Sequence, residues 1–316
     1  GERHLHRRPR NGGKDDKLIK AYIMIHKENY PLPVMLAHFT GCLLALLGLY
    51  LISLQSFLFF HSVAEIVWVA LAFCVFMVTW HARRALDNNY LKFIGIACLF
   101  TAVLDLIHTL TYRGMGVFLG NTVNISMQTS IAAQYLLAFS FLIAPAALGR
   151  RMAGRHVFAV YFLLTLGMAY LIFFTHVFPD CYVEGAGETP FKAVSQYVIC
   201  LILTVSIIFL IRKKEVFDRR ILQLLVLSLS LTIAGQLFLS VTYDHLYLPL
   251  IGHFLKIAAF VFLYFAIVKT GIERPYLLLA QNLRQHEAEL TWNNRVKEGF
   301  TGLATALIAP LSIEKI

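Results

Sequence analysis

Six ionisable side chains stand inside stretches of this chain that are otherwise apolar: His61, Glu65, Asp105, His108, His253 and Lys256. A charged group within a membrane span costs several kcal/mol, so such residues are rare unless they pair or bind something. Their spacing groups them. His61 and Glu65 are four apart, Asp105 and His108 three, and His253 and Lys256 three, so in helices each pair shares one face. Three imidazoles with two carboxylates offer the nitrogen and oxygen donors that zinc, iron, nickel or copper(II) take, or two axial ligands for a haem. An acid one turn from an imidazole also matches the arrangement in which a carboxylate orients a metal-bound ring. A second chemistry uses the same region as a pocket for a small organic or anionic ligand, with Lys256 as counter-ion and Gln134 and Gln236 as polar lining. A third is purely structural, with Glu65 tied to Lys256 and Asp105 to His108. Ties between spans are worth about 0.6 kcal/mol each, too little to offset the insertion of so many charges. Hydrolytic chemistry finds no support: Ser62 beside His61 and Ser195 beside Gln196 lack a G-x-S-x-G setting, and H-E-x-x-H is absent, so this chain is expected not to be an enzyme.

Eight apolar runs position these residues: roughly Met35–Phe57, Leu58–Trp80, Tyr90–Thr111, Met127–Leu148, Val157–Phe178, Phe191–Ile211, Ile221–Val241 and Leu248–Thr270. Each is about 20 residues, the length a helix rising about 1.5 Å per residue needs to cross about 30 Å of hydrocarbon. The break from Gln55 to Phe60 is itself nearly apolar, so the first two runs are either a tight surface hairpin or one element. Composition agrees with a membrane bundle. Of 316 residues, 58% are hydrophobic types and 15% charged, with a mean hydropathy of +0.67, more apolar side chain than one soluble core buries. A net charge of +10 would suit a nucleic-acid binder, but so apolar a chain is not one, and topology must explain the cations. Among five cysteines, Cys42, Cys74, Cys98 and Cys200 lie in apolar runs and Cys181 in a polar stretch open to oxidation; no disulfide framework or CxxC site is readable.

The cations alternate. The second, fourth and sixth breaks carry Arg83, Arg84 and Lys92, then Arg150, Arg151 and Arg155, then Arg212, Lys213, Lys214, Arg219 and Arg220. The intervening breaks hold Arg113 and Lys192 against Asp180, Glu184, Glu188 and Asp244. Positive loops stay in the cytoplasm, which puts both termini inside and the six ionisable residues, with Gln134, Gln196, Gln236 and His176, in the outer half of the bundle. His38, His81 and Lys269 fall near the inner rim, within snorkelling reach. Residues 1–30 read as a basic cytoplasmic tail, without a signal-peptide pattern, and a short interfacial helix ending at Pro31. After Thr270, Tyr276, Leu279, Leu283, His286 and Leu290 recur at three and four residues, predicting a cytoplasmic helix over 275–299 suited to pairing with a second copy, or to lying on the membrane lipid. Phe300, Leu303, Ala304 and Leu307 begin another helical pattern, read as the start of a cytoplasmic domain over 300–316.

Several blocks resemble a known family. Leu86-Asp87-Asn88-Asn89-Tyr90-Leu91, Leu104-Asp105-Leu106-Ile107-His108-Thr109-Leu110 and Tyr112-Arg113-Gly114-Met115 are similar to the third-span region of the MASE3 membrane-associated sensor domains. So are Phe60-His61-Ser62-Val63-Ala64-Glu65, Phe178-Pro179-Asp180-Cys181, Thr189-Pro190-Phe191-Lys192 and Gly252-His253-Phe254-Leu255-Lys256. The resemblance runs from about Pro31 to Pro275. It implies the input module of a bacterial histidine kinase or diguanylate cyclase, without implying a particular ligand, and it departs at Gln236, where the family pattern tends to Glu. Gly302–Ile316 is similar to the first helix of some GAF domains.

The resulting expectation is an all-α polytopic bundle of eight transmembrane helices over 31–274, followed by a cytoplasmic signalling helix, in a bacterial inner membrane. It would bind a metal, haem or small ligand and act on a downstream output domain. The alternative is a proton-coupled transporter using Glu65, Asp105 and Lys256, which the one-sided clustering and the lack of an internal repeat oppose.

Overall fold

The computed structural model describes residues 32–84, 88–118, 123–149, 153–240, 247–268, 270 and 274–308. The tail and interfacial helix expected over 1–30, the cations Arg150, Arg151 and Lys269, Asp244 and residues 309–316 lie outside the described residues, as do the side chains of His38, Tyr276 and Leu279.

The described chain is a succession of α-helices: α1 (Leu32–Gln55), α2 (Phe57–His81), α3 (Asn89–Thr111), α4 (Val123–Ile143), α5 (Gly154–Tyr170), α6 (Pro190–Arg212), α7 (Arg219–Ser240), α8 (Tyr247–Val268) and α9 (Arg274–Ile308). Seven of them, α2 to α8, are long and apolar enough to cross a membrane once the short turns ending α4 and α5 are included. Helix α1 is 24 residues long, and its described apolar part is Thr40–Gln55. Only Ser56 separates α1 from α2, so the nearly apolar break is a single residue between two helices.

Local chemistry sets the boundaries. Asn88 caps α3, its side-chain oxygen accepting from the backbone N–H of Tyr90 and Leu91 at 3.0 and 3.3 Å. Thr189 caps α6 in the same way through Lys192, with Pro190 in the first turn, where a missing N–H costs nothing. Pro145 lies in the 3₁₀ turn Ala144–Ala147 that closes α4, and α5 ends in a widened π turn, Leu171–Thr175, before the left-handed His176 at φ 51°.

From Leu58 onward the helices form one compact unit. Helix α3 packs on α4 and α5, α4 on α6, α6 on α7, and α7 along α8. Trp68 on α2 meets Phe260 on α8 edge to face at 4.6 Å between ring centroids, and Phe76 meets Phe158 on α5. Trp68, Tyr90, Leu91, Ile94, Leu203, Leu225 and Phe260 belong to the main core. The outward surface is apolar too: Leu163, Phe174 and Leu201 are 65%, 75% and 63% exposed. In water such a surface would be a liability; in a polytopic membrane domain lipid covers it.

Between α5 and α6 a two-residue hairpin, β1 (Tyr182–Val183) against β2 (Gly187–Glu188), is pinned to the start of α4. Asn124 accepts from the N–H of Cys181 and Tyr182 at 2.8 and 3.0 Å and donates to Asp180 at 2.7 Å. Gln128 donates to the carbonyls of Phe178 and Pro179. Cys181 is fully buried by this docking, which shields the thiol that its polar stretch suggests is open to oxidation.

Helix α9 runs 35 residues without interruption through the position at 299–300 where the sequence pattern placed a boundary. Leu283, Leu290, Trp292, Phe300 and Leu303 are exposed along it.

Candidate functional site

The core stripe of α2 reads Phe60, His61, Glu65, Trp68, Ala72, Val75, Phe76 and Thr79, so His61 and Glu65 occupy the same face as the helix's packing residues. Asp105 and His108 continue the buried face of α3 in its last two turns, and His253 that of α8. Antiparallel packing then brings the start of α2, the end of α3 and the start of α8 to one end of the bundle. The six residues picked out by type and spacing meet there.

Glu65 is at the centre. Its Oε1 and Oε2 accept from Lys256 Nζ at 3.0 and 2.8 Å, the tie foreseen between these two residues. His253 Nδ1 lies 3.1 Å from Glu65 Oε1, an ion-pair contact off the line of an ideal hydrogen bond. Lys256 Nζ is 3.6 Å from Asp105 Oδ2 and 4.4 Å above the Trp68 ring. Asp105 therefore faces Lys256; its Oδ1 is buried without a hydrogen-bond partner among the described residues.

The imidazoles pack against one another. His61 lies edge to face with His253 at 4.9 Å and with His108 at 5.4 Å between ring centroids, and stacks on Tyr112 at 3.8 Å. His108 is oriented from α4: its Nδ1 is 2.8 Å from the Ser126 carbonyl and 2.9 Å from Ser126 Oγ. With the proton placed on Nδ1 to meet the carbonyl, Nε2 is left as a free donor of electrons, the tautomer a metal ligand needs. One ligand atom each from His61, Glu65 and His253 lie within 4.8 Å of one another, compact enough to hold one ion after small adjustments. Where both carboxylates are ionised and the imidazoles neutral, the single ammonium leaves the cluster one negative charge in excess, which a cation would neutralise.

The remaining candidates stand apart. Gln134 is half-buried and donates to Ser130 Oγ at 3.1 Å, Gln236 is buried on α7, and no hydrogen bond joins either to the cluster among the described residues. Gln196 is buried on α6, while His176 is exposed just after the π turn that ends α5. Ser62 Oγ donates to the Leu58 carbonyl at 2.8 Å, so its proton is engaged away from His61. Ser126, Tyr112 and Trp68 escaped the sequence reading; uncharged and ordinary in membrane helices, they become conspicuous only through the partners that packing gives them.

A lipid-facing helical bundle whose ionisable residues converge in one buried cluster defines a polytopic membrane domain organised around a polar site. The family model of MASE3, described as a membrane-associated sensor domain, matches residues 52–275, and the chain belongs to this family. No curated protein and no solved structure matches it.

Proposed function

We propose that this chain is the input domain of a bacterial signalling protein and that it reads a divalent transition-metal ion at the cluster of His61, Glu65 and His253, with His108 and Asp105 beside them. The observation that carries the reading is the convergence of two imidazoles and a carboxylate within 4.8 Å in a buried site. Nitrogen and oxygen donors in this ratio suit zinc, nickel, copper(II) or iron. Two features favour a bare ion over the other ligands. Axial imidazoles of a haem stand on opposite sides of a macrocycle, whereas these rings touch edge to face, with Tyr112 covering one face of His61. An anionic ligand would need a free counter-ion, and Lys256 is already engaged by Glu65.

In this reading α1 is an eighth span, the alternating cations set both termini in the cytoplasm of an inner-membrane protein, and the cluster lies in the outer half. Helix α8 carries His253 and Lys256 and leads in sequence toward α9, which pairs with a second copy over 275–299 and conveys the signal to an output domain such as a histidine kinase or diguanylate cyclase. The test is equilibrium dialysis of the purified chain against zinc(II), nickel(II) and copper(II). One ion per chain is expected, lost on His61→Ala or His253→Ala and kept on His176→Ala. Absence of stoichiometric binding, or its full retention in His253→Ala, would overturn the reading.

A further inference from the structure

Glu65 is a poor ligand as it stands, because Lys256 holds both of its oxygens, at 3.0 and 2.8 Å. An ion approaching Glu65 would meet the ammonium at close range in a site that buries both partners, the Glu65 side chain 1% and the Lys256 side chain 14% exposed. Like charges so placed repel strongly, so ion and ammonium cannot share this carboxylate comfortably. The structure holds a second seat for the ammonium. Asp105 Oδ2 is 3.6 Å from Nζ, just beyond hydrogen-bond length, and Asp105 Oδ1 is buried and lacks a hydrogen-bond partner among the described residues. A shift of about 1 Å would turn that long contact into a direct hydrogen bond. The Trp68 ring, 4.4 Å from Nζ, offers the ammonium its electron-rich face near its present seat.

We infer that Lys256 is a tethered competitor of the metal ion: its ammonium occupies Glu65 in the free site and passes to Asp105 when an ion takes Glu65, His61 and His253. The exchange, which rests on the ion-binding reading above, leaves each buried carboxylate with one cation. Were Lys256 to remain on Glu65, two cations would crowd one carboxylate while Asp105 kept only its long 3.6 Å contact to the ammonium. Asp105 is in this account a positioning residue that receives the ammonium and does not touch the ion. Because Lys256 sits three residues from His253 on α8, the exchange moves two contacts of the same helix at once.

The test is zinc(II) affinity of the purified full chain by titration, for wild type, Lys256→Met, Asp105→Asn and the double variant. Lys256→Met should bind zinc at least about tenfold more tightly, since the competitor is gone, and Asp105→Asn at least about tenfold more weakly, since the ammonium has nowhere to go. In the Lys256→Met background Asp105→Asn should weaken binding several-fold less than it does in wild type, because only its direct attraction for the ion remains and its reception of the ammonium is gone. Equal or weaker binding by Lys256→Met would overturn the exchange, as would a loss on Asp105→Asn as large in the Lys256→Met background as in wild type, which would show that Asp105 acts on the ion alone and not by receiving the ammonium. Should Lys256→Met not fold, Lys256→Arg replaces it: a bidentate guanidinium held more firmly on Glu65 should weaken zinc binding, and unchanged affinity would contradict the proposal. Absence of zinc binding by both wild type and Lys256→Met would instead remove the ion-binding reading, and this inference with it.

Discussion

Glu65 joins the acidic and cationic halves of the cluster, so its replacement exposes how the site is held together. Glu65→Gln leaves the buried Lys256 with only the longer Asp105 contact, and removing one partner of a buried pair destabilises by about 3 kcal/mol. Glu65→Gln combined with Lys256→Met should recover part of that loss, because the stranded ammonium is gone while Asp105 is left without its cation; denaturation of the four forms in mild detergent measures it, and equal destabilisation by single and double variants would contradict the pairing. Cys181 tests the docked hairpin. Burial pushes its thiol up to about 12, against the opposing pull of the Lys192 ammonium, so the thiolate is scarce at neutral pH. Alkylation of the folded protein should be slow at pH 8 and keep accelerating as pH rises, whereas an exposed cysteine levels off above its ordinary value of about 8.5. The six cluster residues were legible in the sequence because charge inside an apolar run is conspicuous without an alignment. Ser126, Tyr112 and Trp68 were not, since serine, tyrosine and tryptophan are common in membrane helices and their roles arise from contacts across 18 or more residues of chain or between helices.

At the scale of elements, two close contacts fix the site's surroundings. Asn124 satisfies two backbone donors of the hairpin and donates to Asp180. Asn124→Ala leaves those groups unpaired and should cost about 2 kcal/mol, seen as a lower melting temperature and faster proteolysis within 182–188; an unchanged cleavage rate would show the hairpin is held otherwise. Helices α7 and α8 cross where Gly235 faces Gly252: a methyl at Gly252 would lie 3.1 Å from the Gly235 carbonyl and 2.6 Å from Leu239 Cγ. Gly252→Ala should therefore push α8 away from α7, destabilise by about 1–3 kcal/mol and weaken ion binding through the neighbouring His253, whereas Gly167→Ala, on open α5 surface, should do neither. Helix positions were readable because a run of about 20 apolar residues has few other solutions in lipid. The hairpin was not readable, since its strands are two residues long and its hydrogen bonds to α4 are tertiary. Helix α9 looked like two segments because a second apolar pattern begins at Phe300, yet the helix continues through Gly299 and Gly302, each glycine costing it only about 1 kcal/mol.

Across the whole molecule, loops of alternating charge accompany one buried polar site. With the native cysteines removed, Gly185→Cys in the hairpin should react with a membrane-impermeant thiol reagent on intact cells whose outer barrier is permeable, and Lys213→Cys, after α6, should not; labelling of Lys213→Cys would invert the orientation. The central claim is the ligand set, and X-ray absorption at the zinc edge of the loaded protein tests it most directly. The account predicts one zinc per chain, two imidazole nitrogens and one carboxylate oxygen at about 2.0–2.2 Å, and no sulfur. A shell of oxygens alone, a sulfur ligand, or an imidazole count unchanged in His253→Ala would contradict it.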